Sequence, residues 1–164
     1  MSVISFFVLC FGVLAVSVGA VSENERNQIS QSILPHIVKC SQEYGVSEGQ
    51  IKDAKESVNP LGLNPCFLGC VLKSAGIIDK NGLFDVEATK EKSKKYISSE
   101  KDVTNFDKII KDCTEVNQKN VSDGNKGCDR AKELVTCFLA KRGDVSIIVI
   151  LDDGLWYRIR KRNL

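Results

Sequence analysis

The sequence predicts an all-α domain of about six helices that disulfide bonds hold together around an apolar interior. Two observations carry this prediction. Apolar residues recur at three- and four-residue spacing through most of residues 23–140, which is the period of amphipathic helices. Six cysteines lie in the same part of the chain, and an even number in a secreted protein is typical of a disulfide framework.

Residues 1–20 are predicted to be a secretory signal peptide. No charged residue precedes Glu23, and Val18 and Ala20 fit the small-residue pattern of a cleavage site after Ala20. A membrane anchor is the alternative, but a span needs about 20 apolar residues and this run is shorter. Cleavage would remove Cys10. Secretion would place the other cysteines in an oxidising compartment. The predicted organisation is therefore a signal in residues 1–20, a helical domain in residues 21–143 and an extension in residues 144–164.

The first two helices have clear signals. One helical face carries Ile29, Ile33, Ile37 and Cys40. Pro35 interrupts this pattern and is expected to kink the helix or split it in two. A second, short helix begins at Ser47, which forms a capping-box pattern with Gln50, and runs to about Ser57.

A third helix begins at Asn64 and Pro65, since these residues suit the N-cap and first-turn positions. Gly76 is a plausible stop signal for this helix. Asp85 is a candidate N-cap for a fourth helix that runs to about Tyr96 or Ile97.

Two further helices complete the predicted domain. The fifth has an apolar face made by Val103, Phe106, Ile109, Ile110 and Cys113. The sixth spans about Asn125 to Ala140.

The C-terminal extension differs from the rest. Residues 145–151 are rich in β-branched side chains, and Asp153 and Gly154 suit a two-residue turn, so local rules favour a β-hairpin. An isolated hairpin is marginally stable in water, which makes a disordered appendage the other interpretation. A third possibility is a lid over the interior, formed by residues such as Ile147 or Val149.

The cysteine spacing excludes two pairings. Cys66 and Cys70 would lie one helical turn apart, with Cβ atoms about 5–6 Å from each other, whereas a disulfide needs about 3.8 Å. Cys128 and Cys137 would point to opposite sides of the last helix. Geometry leaves the other connectivities open. A zinc site is not favoured because the chain has one histidine, His36, and a redox site would need a different spacing.

The order and spacing of the six cysteines resemble those of the insect odorant-binding and pheromone-binding protein family. The matching residues are Cys40, the segment "CFLGC" at residues 66–70, Cys113, and "CDRAKELVTC" at residues 128–137. The resemblance covers about residues 23–140. It implies interlocked disulfides Cys40–Cys70, Cys66–Cys128 and Cys113–Cys137.

The resemblance also implies an internal cavity for a small hydrophobic ligand. Three disulfides in a domain large enough to form its own core agree with a hollow interior, although secretion alone would explain them. Tyr96 is the candidate hydrogen-bond donor to the ligand. The alternative is that the apolar candidates are ordinary core residues. The other predicted lining residues are Phe67, Val71, Phe84, Phe106, Ile110, Leu134 and Phe138.

These features favour a secreted carrier of odorants, pheromones or similar molecules, and not an enzyme. No G-x-S-x-G motif is present and His36 has no evident catalytic partner. The alternatives are a disulfide-stabilised protein ligand or effector without a cavity and, less favoured, a secreted lipid-acting enzyme. No cofactor or metal is expected. The net charge of +2 gives no reason to expect nucleic acid.

Further expectations concern partners and modification. Besides small hydrophobic molecules, a chemosensory membrane receptor is a possible partner, and the protein is expected to be a monomer or a weak homodimer. Asn120 begins an N-glycosylation sequon, "NVS", in a predicted loop. Such motifs are short and often remain unmodified, so the sequence does not decide whether Asn120 carries a glycan.

Overall fold

The computed structural model describes residues 22–57 and 59–141, and these residues form a helical domain. The predictions for the signal peptide and for residues 144–164 lie outside the described residues. Short 3₁₀ helices occupy Pro60–Gly62, Cys113–Gln118 and Gly124–Lys126. The α-helices are α1 (Glu23–Tyr44), α2 (Glu48–Glu56), α3 (Pro65–Ser74), α4 (Val86–Lys94), α5 (Glu100–Asp112) and α6 (Cys128–Ala140). The all-α prediction is confirmed.

Local capping explains where several helices begin. Ser47 and Gln50 form the predicted capping box before α2. The side chain of Asn64 accepts a hydrogen bond from the Cys66 amide, and that of Asp85 accepts one from the Ala88 amide. These predicted caps are therefore confirmed.

The path of α1 differs from one of the two expectations for it. The helix is continuous from Glu23 to Tyr44 with Pro35 inside it, so the expectation of a split is wrong. Proline removes one backbone hydrogen bond, but Ile33, Leu34 and Ile37 on either side are buried and hold the helix against the core.

The last helix begins three residues later than predicted. Gly127, at φ 84°, is in the left-handed region and separates the 3₁₀ turn of Gly124–Lys126 from α6. An α-helix cannot pass through a residue in this conformation, so α6 starts at Cys128. Helix α5 passes directly into the 3₁₀ helix Cys113–Gln118.

Helix α3 is the centre of the domain and packs against both α1 and α6. Its contact with the start of α6 is unusually close. A Cβ atom at Gly69 would lie 2.9 Å from the backbone oxygen of Gly127, so only glycine allows this approach. The glycine within "CFLGC" therefore sets how near the two helices lie.

Helix α4 lies against α5 and has a different interior face. The buried residues within α4 are Thr89 and Ser93. By contrast, α3 buries Phe67, Leu68 and Val71, among others. Within residues 22–57 and 59–141, none of the helices combines the length and apolar character that crossing a membrane requires.

Candidate functional site

Three disulfides fix the helices around the candidate site. Cys40–Cys70 joins α1 to α3, Cys66–Cys128 joins α3 to α6, and Cys113–Cys137 joins the end of α5 to α6. Their Cα–Cα distances are 5.8, 4.2 and 5.8 Å, respectively. These are the pairs that the resemblance implies, and neither of the pairings that geometry excluded is present.

Most of the predicted lining residues lie in one apolar cluster. Phe67, Val71, Phe84, Ile110 and Leu134 are buried, and Ile110 and Leu134 have no exposed surface. They come from α3, α5, α6 and the turn before α4, so the fold brings together residues that are far apart in sequence.

Two further predicted lining residues are partly buried against the same cluster. Phe106 projects from α5 and Phe138 from α6. The rings of Phe138 and Phe84 meet edge to face, with centroids 5.9 Å apart and planes at 86°. This arrangement is favourable for aromatic pairs and connects α6 to the turn before α4.

Tyr96 is the one predicted lining residue outside the cluster. It lies just after α4 and is half-buried. Its role as a hydrogen-bond donor to the ligand stays a prediction.

The turn before α4 is fixed by a contact that sequence reasoning missed. The Phe84 amide donates to Oδ1 of Asn117 at 2.8 Å, and Nδ2 of Asn117 donates to the Phe84 carbonyl at 2.9 Å. One amide side chain thus satisfies both backbone groups of Phe84. No local pattern reveals this pair, because the two residues are 33 apart in sequence.

Several polar side chains are buried beside the apolar cluster, and the sequence analysis singled out none of them. Arg130 is only 3% exposed and donates from Nη1 to the Lys119 carbonyl at 3.1 Å. Its Nε has no hydrogen-bond partner in the described part of the chain. A weak signal was available, since Arg130 lies four residues before Leu134 and therefore on the same helical face.

Comparison with known proteins places this arrangement in a family. The sequence profile of the PBP/GOBP family matches residues 22–141, which is most of the chain. The chain belongs to the PBP/GOBP family. The predicted resemblance to odorant-binding and pheromone-binding proteins is therefore confirmed.

Two Drosophila melanogaster proteins are similar to this family member over most of their length. General odorant-binding protein 28a is 23% identical over 133 residues, which cover 80% of this chain and 90% of that protein. General odorant-binding protein 69a is 26% identical over 150 residues, which cover 86% of this chain and 94% of that protein. No significant match was found among solved structures.

A set of hydrogen bonds to the Glu25 carboxylate links two distant segments of the domain. The Ser98 amide and hydroxyl donate to Oε1 of Glu25 at 2.7 and 2.6 Å. The amide and hydroxyl of Ser22 each donate to Oε2 at 2.7 Å. These hydrogen bonds, those from Ser98 first, lower the pKa of Glu25 from 4.5 to about 2. The carboxylate thereby joins the start of α1 to the turn between α4 and α5.

The structure also gives the surroundings of His36 and of Asn120. His36 is half-buried on α1. No cluster of three or more His, Cys, Asp or Glu side chains suited to a metal ion occurs within residues 22–57 and 59–141. Asn120 is exposed in the link between two 3₁₀ helices, and the Ser122 hydroxyl of its sequon donates to Asp129 at 2.7 Å.

Proposed function

We propose that this protein is a non-enzymatic carrier that binds small hydrophobic molecules in an internal cavity and transports or scavenges them in extracellular fluid. One observation carries the proposal. In a member of the PBP/GOBP family, seven of the eight predicted lining residues converge on a single apolar cluster between disulfide-linked helices. Such walls favour apolar guests, because burial contributes about 25 cal/mol per Å².

The disulfides supply a physical reason why such a domain would tolerate a hollow centre. A cavity of about 300 Å³ costs roughly 7 kcal/mol at about 24 cal/mol per Å³. Three disulfides that contribute about 2–4 kcal/mol each would offset this cost. Odorants, pheromones and similar molecules have the apolar character that suits these walls, and Tyr96 would hydrogen-bond to an oxygen of the ligand.

Displacement of a fluorescent apolar probe tests the binding function. The purified protein is titrated with N-phenyl-1-naphthylamine, and alcohols, aldehydes, esters and fatty acids then compete for the site. We expect saturable competition at micromolar concentrations without turnover of the competitor, and a melting temperature that rises with ligand concentration. A disulfide-stabilised effector with a solid interior would not bind the probe. A lipid-acting enzyme would convert the competitors to products.

Replacement of Leu134 by tryptophan tests for the cavity itself. Leu134 is fully buried, so the larger ring would occupy a cavity if one is present and would overpack a solid core. We expect Leu134→Trp to abolish probe binding while the melting temperature stays near that of the native protein. Val38→Trp is the control, because Val38 on α1 is exposed. A strongly destabilised Leu134→Trp protein would contradict the proposal.

The proposal includes processing and domain boundaries. Residues 1–20 would be removed as a signal peptide, residues 21–143 would form the binding domain, and residues 144–164 would be an extension outside it. The family match, which ends at residue 141, supports the second boundary. Mass spectrometry of protein secreted by insect cells should find Val21 at the N-terminus. Deletion of residues 144–164 should leave the probe affinity and release rate unchanged, which would refute the lid; a change in either would support it.

Three further features of the proposed carrier can be tested on the same material. Asn120 is proposed as a glycan acceptor, and peptide N-glycosidase F would then reduce the mass of the secreted protein. Light scattering would distinguish the proposed monomer from a weak homodimer. Delivery to a chemosensory membrane receptor would require contact with that receptor, which a binding assay with receptor-containing membranes would detect.

A further inference from the structure

We propose that α4 is the gate of the binding domain: it swings away from the core about Phe84 when the Glu25–Ser98 contact opens, and ligands enter and leave beneath it. This inference rests on the proposed function, because it assigns a route to the same apolar cluster. Four features of the described residues support it.

The first feature is the distribution of disulfides. Residues 71–112 are the longest stretch between consecutive bridged cysteines, and α4 lies near its middle. The disulfides join α1, α3, α6 and the end of α5 into one covalent frame. Helix α4 can therefore move without straining any of these bonds.

The second feature is the buried face of α4, on which the two fully buried residues carry hydroxyl groups, while Val86 in the first turn packs against the apolar cluster. The Thr89 hydroxyl donates to the Asp85 carbonyl at 2.6 Å, and the Ser93 hydroxyl donates to the Lys90 carbonyl at 2.8 Å. Both partners belong to the segment that would move, so these bonds persist when α4 leaves the core. Apart from Val86, which lies next to the pivot, opening therefore exposes little apolar surface from the helix itself.

The third feature is the contrast between the two ends of α4. Phe84 at the leading end is held by the Asn117 amide and by the ring of Phe138, so it can serve as a fixed pivot. The trailing end is held by the bonds from Ser98 to the Glu25 carboxylate, which is on the surface. Hydrogen bonds at a surface exchange readily with water, so this end is the one that releases.

The fourth feature is what keeps the gate closed. Lys92 donates from Nζ to the Gly76 carbonyl at 2.8 Å, and Ile97 after the helix is buried. The costs of opening are exposure of Ile97, loss of these polar contacts and loss of the packing of α4 against α5. Because none of these contacts is covalent, the open state is a minor conformation that is reached by local fluctuation, without global unfolding.

Hydrogen exchange on the full chain tests the motion without any ligand. Amides of α4 should exchange at least about tenfold faster than those of α3 and α6, because they open locally. Glu25→Gln and, separately, Ser98→Ala should speed exchange in α4 further and leave α3 unchanged. Glu23→Gln is the matched control, since Glu23 is an exposed carboxylate in the same first turn of α1. Exchange of α4 amides as slow as that of α3 amides would overturn the proposal.

Stopped-flow binding of N-phenyl-1-naphthylamine tests whether the motion admits ligands. A looser gate should raise the association and dissociation rates of the Glu25→Gln protein together, by about fivefold, and leave the dissociation constant within about twofold. Rates equal to those of Glu23→Gln would overturn the gate. If the native protein binds no probe, the proposed function fails, whereas the exchange comparison still decides whether α4 opens.

Discussion

Helices α3 and α4 follow each other in the chain and are nearly equal in length, at ten and nine residues, but they are held in opposite ways. Helix α3 has two disulfides, a close glycine contact with α6 and an apolar buried face. Helix α4 has no cysteine, buries two hydroxyl groups and depends on polar contacts near its ends. One domain thus combines a disulfide-linked frame with a helix that is held by noncovalent contacts alone, which is the combination that the proposed carrier would need to retain and release a ligand.

Removal of the bond between α3 and α6 should have the largest effect. The double variant Cys66→Ala, Cys128→Ala should lose about 2–5 kcal/mol of unfolding free energy, because the denatured chain regains the freedom of a long loop. Urea denaturation followed by circular dichroism measures the loss. Exchange of α3 amides should then approach that of α4 amides. A loss below about 1 kcal/mol would show that the bond between α3 and α6 contributes little to the stability of the domain.

A methyl group between α3 and α6 should have the next largest effect. Gly69→Ala would place its Cβ 2.9 Å from the Gly127 oxygen and force the two backbones apart, at a cost of about 1–3 kcal/mol. Thermal denaturation measures this cost. Gly49→Ala on α2 is the matched control, because its Cβ would come no closer than 3.8 Å to the Ser47 hydroxyl oxygen. Equal melting temperatures for the two variants would mean that the close approach is not required.

The contact at the trailing end of α4 should have a smaller, pH-dependent effect. Glu25→Gln should lose about 1 kcal/mol at neutral pH, since the hydrogen-bonded carboxylate is at the surface. Folding lowers the pKa of Glu25 from 4.5 to about 2, so the stabilisation is complete above pH 4.5 and declines as the pH falls towards about 2. Melting curves of the native and variant proteins should therefore converge in acid. A difference that grows as the pH falls would contradict this assignment.

The smallest effect is expected inside α4. Thr89→Val replaces a hydroxyl that bonds only to the carbonyl of Asp85 in its own segment, so the unfolding free energy should change by less than about 0.5 kcal/mol. Thr136→Val in α6 is the control, because its hydroxyl makes the same kind of bond to the Lys132 carbonyl at 2.8 Å on an exposed face. Denaturation that shows a loss above about 1.5 kcal/mol for Thr89→Val alone would mean that α4 is held through this hydroxyl.

The parts of the fold that the sequence predicts are those with local causes. The caps at Ser47, Asn64 and Asp85 each depend on residues two or three positions away, so the sequence alone reveals them. The cysteine pairs needed the family resemblance, because helix geometry excluded only two pairings. The start of α6 was misplaced because glycine can adopt either helical or left-handed backbone angles, and "DGNKGCD" does not show that Gly127 adopts the left-handed ones.

The parts that sequence reasoning missed depend on contacts between distant segments. Glu25 and Ser98 are 73 residues apart, and each belongs to a separate local capping pattern or turn. Arg130 has the polar character of an exposed helix residue, yet the loop carbonyl of Lys119 holds it inside. For the candidate site, helical periodicity and family resemblance identified the apolar residues that gather in the core, whereas the polar groups that fix the surrounding turns became visible only in three dimensions.

The capping box at the start of α1 links maturation of the chain to its stability. Ser22 shares the Glu25 carboxylate with Ser98, and in the proposed mature protein Ser22 is the second residue. An aminopeptidase that trims Val21 and Ser22 would leave every helix and disulfide of the described domain in place but would remove half of the donors on that carboxylate. Heterogeneous N-termini would then produce a mixture of molecules that differ in how firmly their first helix is anchored.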